Sequence, residues 1–402
     1  MKKNISLLCL SALIILTTMN CSNVVDPVGK DIEIPVGFSD KTTAFAFDFW
    51  QELNSHEDKN KSYFVSPLSL HIALGMLLNG ADGQTKTEIQ HVLKTNDLTE
   101  DELNTIYHEL ITNLPKTDPK VTNTIANSIW QRQDFPVEET FIKTLKQTFN
   151  AQHYTKDFSQ PATLDALNNW ASDNTNGKVK QILNEISSDQ VLFLINALYF
   201  KGDWEHPFDK KSTYKTTFSG VSGNKETDMM QMTEKLKYAA TDSYQAVELP
   251  YGDDKYVMTV ILPNGKSTNE VINGFSFKNW QELSDKLTEQ KVIIGLPKFT
   301  MEYKRKLNDV LISMGMPSAF SNAADLSKIS PPAGKIRVGF VKQDTFLAID
   351  EVGTEAAAVT TIGIDVTSVP NYPTIICDRP FLFTISERTS NTIMFIGKIV
   401  NL

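Results

Sequence analysis

Cysteine is scarce: the 402 residues hold three, Cys9, Cys21 and Cys377. So few support no disulfide framework, and Cys377, inside a hydrophobic strand-like tract, reads as a buried thiol. Also missing are Gly-x-Ser-x-Gly, His-Glu-x-x-His, paired Cys-x-x-Cys and a Gly-rich phosphate loop. Their absence removes the usual sequence signs of a hydrolase, a metalloprotease, a zinc module or a nucleotide-dependent enzyme. The six histidines, His56, His71, His91, His108, His153 and His206, are not paired at metal-ligand spacing, so neither metal nor cofactor is expected. A Ser/His/Asp triad assembled from distant residues stays open. Basic clusters are lacking too, and a net charge of −9 argues against nonspecific nucleic-acid binding.

No Pro/Gly/Ser-rich linker divides the chain internally. With 41% hydrophobic and 22% charged residues, one large globular domain with a sizeable core is expected. Residues 1–20 place Lys2 and Lys3 before an apolar run from Ile5 to Leu16. That run is too short to span a bilayer and reads as an export signal. Cys21-Ser22-Asn23 follows, which fits a lipidated first residue as in bacterial lipoproteins, although Thr18-Met19-Asn20 departs from the usual small residues before it. Two destinations are therefore open: an outer-membrane or cell-surface lipoprotein held through Cys21, or a secreted or periplasmic protein. Residues 21–37, with Pro27, Gly29, Pro35 and Gly37, read as a tether, and residues 38–402 as the domain.

Along the domain, Phe45, Phe49 and Trp50 recur at helical spacing over Thr42–Leu53. Ser66-Pro67 is a capped start of a helix that ends at Asn79-Gly80. Helical patterns follow at Gln84–Leu93, Glu100–Asn113 and Val137–Phe149, with a strand at Val121–Trp130 between the last two. Val191–Phe200 is almost wholly apolar, as befits a strand buried on both faces, but Asn196 interrupts it and needs partners. Further strands are expected at Tyr214–Phe218, Met229–Met232, Ala246–Pro250 and Tyr256–Pro263.

The stretch Asp350–Pro370 is undecided between helix and strand. Thr354, Glu355 and Ala356 to Ala358 suit a helix start, whereas Val359 onward is Val, Thr and Ile. Read as a strand, the even positions Thr354, Ala356, Ala358, Thr360, Ile362, Ile364 and Val366 are all small or apolar, and both carboxylates fall on the odd face. One reading is a helix running into an edge strand. The other is a loop able to become a strand, hinged at Gly353.

Here the chain resembles the serpins. The resemblance is carried by Glu351, Gly353-Thr354-Glu355, Ala356 to Ala358, Ser368-Val369-Pro370 and Pro380-Phe381-Leu382-Phe383, and beyond the loop by Phe200-Lys201-Gly202-Asp203-Trp204, Leu296-Pro297-Lys298-Phe299 and Phe395-Ile396-Gly397-Lys398-Ile399. It covers roughly residues 40–402. It implies an α+β fold, with helices packed around a large central mixed β-sheet plus smaller sheets, and a reactive-centre loop at about 351–372. It also implies a monomeric suicide inhibitor of serine proteases, and of cysteine proteases as a further class, acting by loop cleavage, acyl-enzyme trapping and strand insertion. The hinge is then Glu351, Gly353, Thr354, Glu355, Ala356, Ala357 and Ala358. Counting on from Gly353 puts the scissile bond at Thr367–Ser368, with Val366 the neighbouring choice. Ser66, Ser69, Asn196, Trp204 and Gln343 become the region where the sheet opens, and Gln343 stands where the family commonly has a histidine. Thr354, the first side chain to pass inward, is expected to be exposed before cleavage. The alternative is a serpin that binds without inserting its loop.

Overall fold

The computed structural model describes residues 29, 31–330, 336–354 and 372–402. Among these residues nine α-helices surround two β-sheets. The helices are α1 (Val36–His56), α2 (Pro67–Leu78), α3 (Gly83–Val92), α4 (Glu100–Asn113), α5 (Glu139–Phe149), α6 (Pro161–Asn174), α7 (Thr268–Asn273), α8 (Phe277–Lys286) and α9 (Asn308–Ser313). Their ends follow the local chemistry. Ser66 caps α2 by accepting from the Ser69 amide, with Pro67 at the first position, and Thr99 and Glu102 form a reciprocal capping box at α4.

The strands are β1 (Tyr63–Val65), β2 (Val121–Arg132), β3 (Gln152–Lys156), β4 (Leu192–Asp203), β5 (Tyr214–Gly220), β6 (Gly223–Ala240), β7 (Tyr244–Tyr251), β8 (Tyr256–Pro263), β9 (Thr288–Pro297), β10 (Phe299–Lys306), β11 (Lys342–Ile349), β12 (Gly353–Thr354), β13 (Thr374–Ile376), β14 (Phe381–Glu387) and β15 (Thr392–Ile399). One sheet has nine strands in the order β1-β15-β14-β8-β7-β6-β9-β13, with β5 on β6. The other has six, in the order β10-β11-β12-β4-β2-β3, mixed because β2 and β3 run parallel. The 18-residue β6 extends well beyond the strand expected at Met229–Met232: it turns out of β5 at Gly223, where φ is +127°, then pairs with β9 and β7.

Two expectations are corrected. The tether of 21–37 is shorter at its far end: Ile32 is buried, its amide donates to Thr389 Oγ1 (3.3 Å), Asp31 pairs with Lys255 (2.6 Å), and α1 already starts at Val36. Second, β4 is not buried on both faces. Leu192, Leu194, Ile195 and Leu198 are only half-buried, because β11 does not pair in register against β4. Among the described residues the two strands meet only through the two-residue β12, and below it neither edge is paired.

Candidate functional site

The site is this opening and the hairpin that plugs its upper end. At Asp350 the chain leaves β11 and doubles back. The Asp350 carboxylate accepts from the amides of Val352 (2.9 Å) and Gly353 (3.3 Å), an aspartate turn, and the Asp350 amide donates to Gly353 O (3.0 Å). Gly353 and Thr354 then lie between the strands, Thr354 opposite Ile349 of β11 and Gly202 of β4. A Cβ on Gly353 would stand 2.1 Å from Gly202 O. The glycine is therefore demanded by close backbone approach.

Thr354 is 3% exposed, and its hydroxyl meets the Tyr251 hydroxyl at 2.7 Å. This overturns the expectation that it is exposed: the turn at Asp350 is tight enough to return the hinge into the sheet at once. Trp204 holds the same plug. Its amide donates to Val352 O (2.7 Å), its indole N–H donates to Asp350 O (3.0 Å), and its ring stacks on Tyr251 at 4.3 Å. Glu351 is buried and anchored by Lys298 (2.8 Å) and the Thr213 hydroxyl (3.0 Å). Burial pushes its carboxyl up, but these partners outweigh burial and hold it below the usual glutamate range.

Lower down, the start of α2 lies beneath both walls of the opening. On the β11 side the Gln343 amide forms two bonds with the Ser66 backbone, accepting from its N–H (3.1 Å) and donating to its carbonyl (2.6 Å). The Ser66 hydroxyl donates to Met394 O (2.7 Å). On the β4 side the Ser69 hydroxyl donates to Asn196 Oδ1, and Asn196 Nδ2 donates to Asn127 Oδ1 (2.8 Å). Asn196 and Gln343 thus each find a partner, but separate ones: one serine of α2 serves each wall. Between the walls runs a cavity of about 500 Å3, floored by Leu70 and Leu74 of α2 and covered by Val179, Ile182 and Leu183 of the segment after α6. Lys342 ties that cover down by donating to Ile182 O (2.9 Å), and Asn168 clasps it through the amides of Ile182 and Leu183.

The structure thus brings Glu351, Gly353, Thr354 and Trp204 together at one end, and Ser66, Ser69, Asn196 and Gln343 below them. Glu355, Ala356, Ala357, Ala358, Val366, Thr367, Ser368 and Cys21 lie outside the described residues. Tyr251, Thr213 and Lys298 were not foreseen as hinge partners. Lys298 stood in a quoted tract, yet nothing in a sequence says which carboxylate a lysine reaches across the fold.

A split mixed sheet, plugged by the first residues of a long loop and underlain by two serines, defines the class, and the comparisons agree. The family model described as Serpin (serine protease inhibitor) matches residues 40–402. The chain belongs to the serpin family. It is 32% identical over 365 residues to an uncharacterized serpin-like protein of Thermococcus kodakarensis, covering 89% of this chain and 84% of that one. Against Serpin B11 of Homo sapiens identity is 32% over 384 residues, covering 89% and 97%. Among solved structures, the thermophilic serpin tengpin in its native state superposes with a TM-score of 0.85 at 32% identity, covering 93% of this chain and 96% of that one.

Proposed function

We propose that the protein is an inhibitory serpin, a suicide substrate whose loop is cleaved by a serine protease and inserts between β4 and β11 before the acyl-enzyme hydrolyses. One observation carries this reading: among the described residues β4 and β11 are joined only through Gly353 and Thr354, the first two residues of the inserting strand, and are unpaired below them.

The observed register can be continued. Each further loop residue pairs one residue earlier on both walls, so Thr360 falls between Gln343 and Asn196, where a hydroxyl meets two amides. The face that follows Thr354 inward is Ala356, Ala358, Thr360, Ile362 and Ile364, which is the charge-free one. Thr367 falls opposite Asp189 and Ile336, cavity-lining residues just before β4 and β11 begin. In this register Thr367–Ser368 is the bond whose cleavage frees the loop as far as the lower end of the cavity. About a dozen new backbone hydrogen bonds at roughly 0.5–1.5 kcal/mol each would supply on the order of 10 kcal/mol. That is comparable with the stability of an ordinary domain, enough to distort an attached protease and to make the native state a kinetic trap.

Between Gly353 and Cys377 there is no Lys or Arg to fill a trypsin-like pocket, and the residues around Thr367 are small, aliphatic or hydroxylic. The targets in this reading are elastase- or subtilisin-like enzymes, with papain-like proteases as a further class. Export, with Cys21 as the lipid site, places the inhibitor where such proteases act. The test is the rate of trapping by elastase against trypsin; faster trapping of trypsin would refute the specificity.

A further inference from the structure

The insertion slot has one feature that the loop does not account for. Asp344 of β11 lines the cavity with its side chain only 5% exposed. Its Oδ2 pairs with Lys342 Nζ at 3.0 Å, while its Oδ1 has no hydrogen-bond partner among the described residues. An unpartnered buried carboxylate oxygen is costly and calls for an explanation. The Lys342 ammonium is already divided between Oδ2 and Ile182 O. Lys304 stands opposite on β10 and acts only as a more distant charge. Asp189 and Arg337, the other charged pair on the cavity wall, interact with each other. In the register proposed for the inserted loop the residue opposite Asp344 is Val359, whose side chain offers no donor. The free oxygen therefore waits for something other than the loop.

We propose that the slot binds an apolar molecule headed by an ammonium group, with the cation on Asp344 Oδ1 and the apolar body between Leu70, Leu74, Phe193, Ile195, Ile182 and Phe340. A volume of about 500 Å3, with a lining more apolar than polar, matches a small-molecule site. A cationic donor fits better than a hydroxyl because charge-assisted hydrogen bonds are shorter and stronger. Burial also leaves the carboxyl raised above the ordinary aspartate range despite Lys342. Resting on the inhibitory reading, one consequence follows: the occupant sits where the loop must enter, and so slows insertion and turns the inhibitor towards substrate behaviour.

The test uses the full chain without residues 1–20 and three probes of one shape, 1-naphthylmethylamine, 1-naphthylmethanol and 1-naphthoate, titrated calorimetrically at pH 7. The expected result is amine binding at least tenfold tighter than the alcohol, with the acid weakest. Asp344→Asn should abolish the amine's advantage and leave the alcohol unchanged. Equal affinity for amine and alcohol in the unaltered chain, no binding of any probe, or an advantage that survives Asp344→Asn would each overturn the proposal. The three-probe comparison needs no variant, so a misfolded mutant does not rescue it. Saturating amine should also lower the fraction of elastase trapped per inhibitor. Amine binding through Asp344 in a protein that traps no protease would uphold the site and refute the inhibitory reading instead.

Discussion

Replacing Thr354 by arginine separates the native seat of the hinge from its proposed role in insertion. Thr354 is buried and hydrogen-bonded to Tyr251, so an arginine cannot occupy the seat. The native protein has an escape: residues 353–354 swing out, forfeiting the hydroxyl bond and the strand pairs, at about 1–3 kcal/mol in all. At about 2 °C per kcal/mol for a chain this large, the melting temperature should fall by a few degrees. The inserted state has no such escape. An unpaired guanidinium buried behind the opened sheet costs several kcal/mol, a large share of the roughly 10 kcal/mol that insertion supplies, and it acts at the first step. Deacylation should then win, giving cleaved inhibitor and active protease. The assay is stoichiometry of inhibition with elastase, read beside the melting temperature. A variant that still traps one-to-one would show that Thr354 does not enter the sheet, and the register built on it would be wrong. Gly353→Ala should expel the hinge likewise, because its Cβ would meet Gly202 O.

Gln343→Leu removes both bonds to the Ser66 backbone and leaves the Ser66 N–H unpaired, while the Ser66 carbonyl keeps the Leu70 amide, costing about 1–3 kcal/mol; an unchanged melting temperature would contradict the pairing. His71 is fully buried between Leu93 O (3.2 Å) and the Tyr107 hydroxyl (2.9 Å), and burial pulls its pKa from 6.5 to about 4. Its folded value lies below the unfolded one, so the stability is present above pH 6.5 and is lost as pH falls towards 4. The difference of about 2.5 units is worth about 3 kcal/mol, and His71→Gln should flatten the melting-temperature profile over that window; an unchanged slope would refute the assignment.

Much of the frame was legible because it rests on local signals. Ser66-Pro67 starts α2 and Asn79 ends it, and the Glu100–Asn113 helix is read to the residue. Glu351 and Gly353 stood out as a hinge motif, and Asn196 as an amide needing a partner. What could not be read is tertiary. The Tyr251 hydroxyl under Thr354 and Lys298 on Glu351 are contacts between residues roughly 50 to 100 positions apart. The exposure of Thr354 was misjudged for the same reason: composition says that a residue can pass inward, whereas the Asp350 turn decides that it already has. Even the burial of β4 depended on a neighbour, since an apolar run implies two covered faces only if both flanking strands pair with it.

The central claim is tested most directly by mixing the protein with elastase, resolving the products on denaturing gels, and weighing the released C-terminal fragment. The account predicts an SDS-resistant complex near the summed masses and a fragment that begins at Ser368. Clean cleavage with full protease turnover would contradict inhibition by insertion, and a trapped complex whose fragment begins well away from Ser368 would contradict the register in which Thr367 is the last residue to enter the slot.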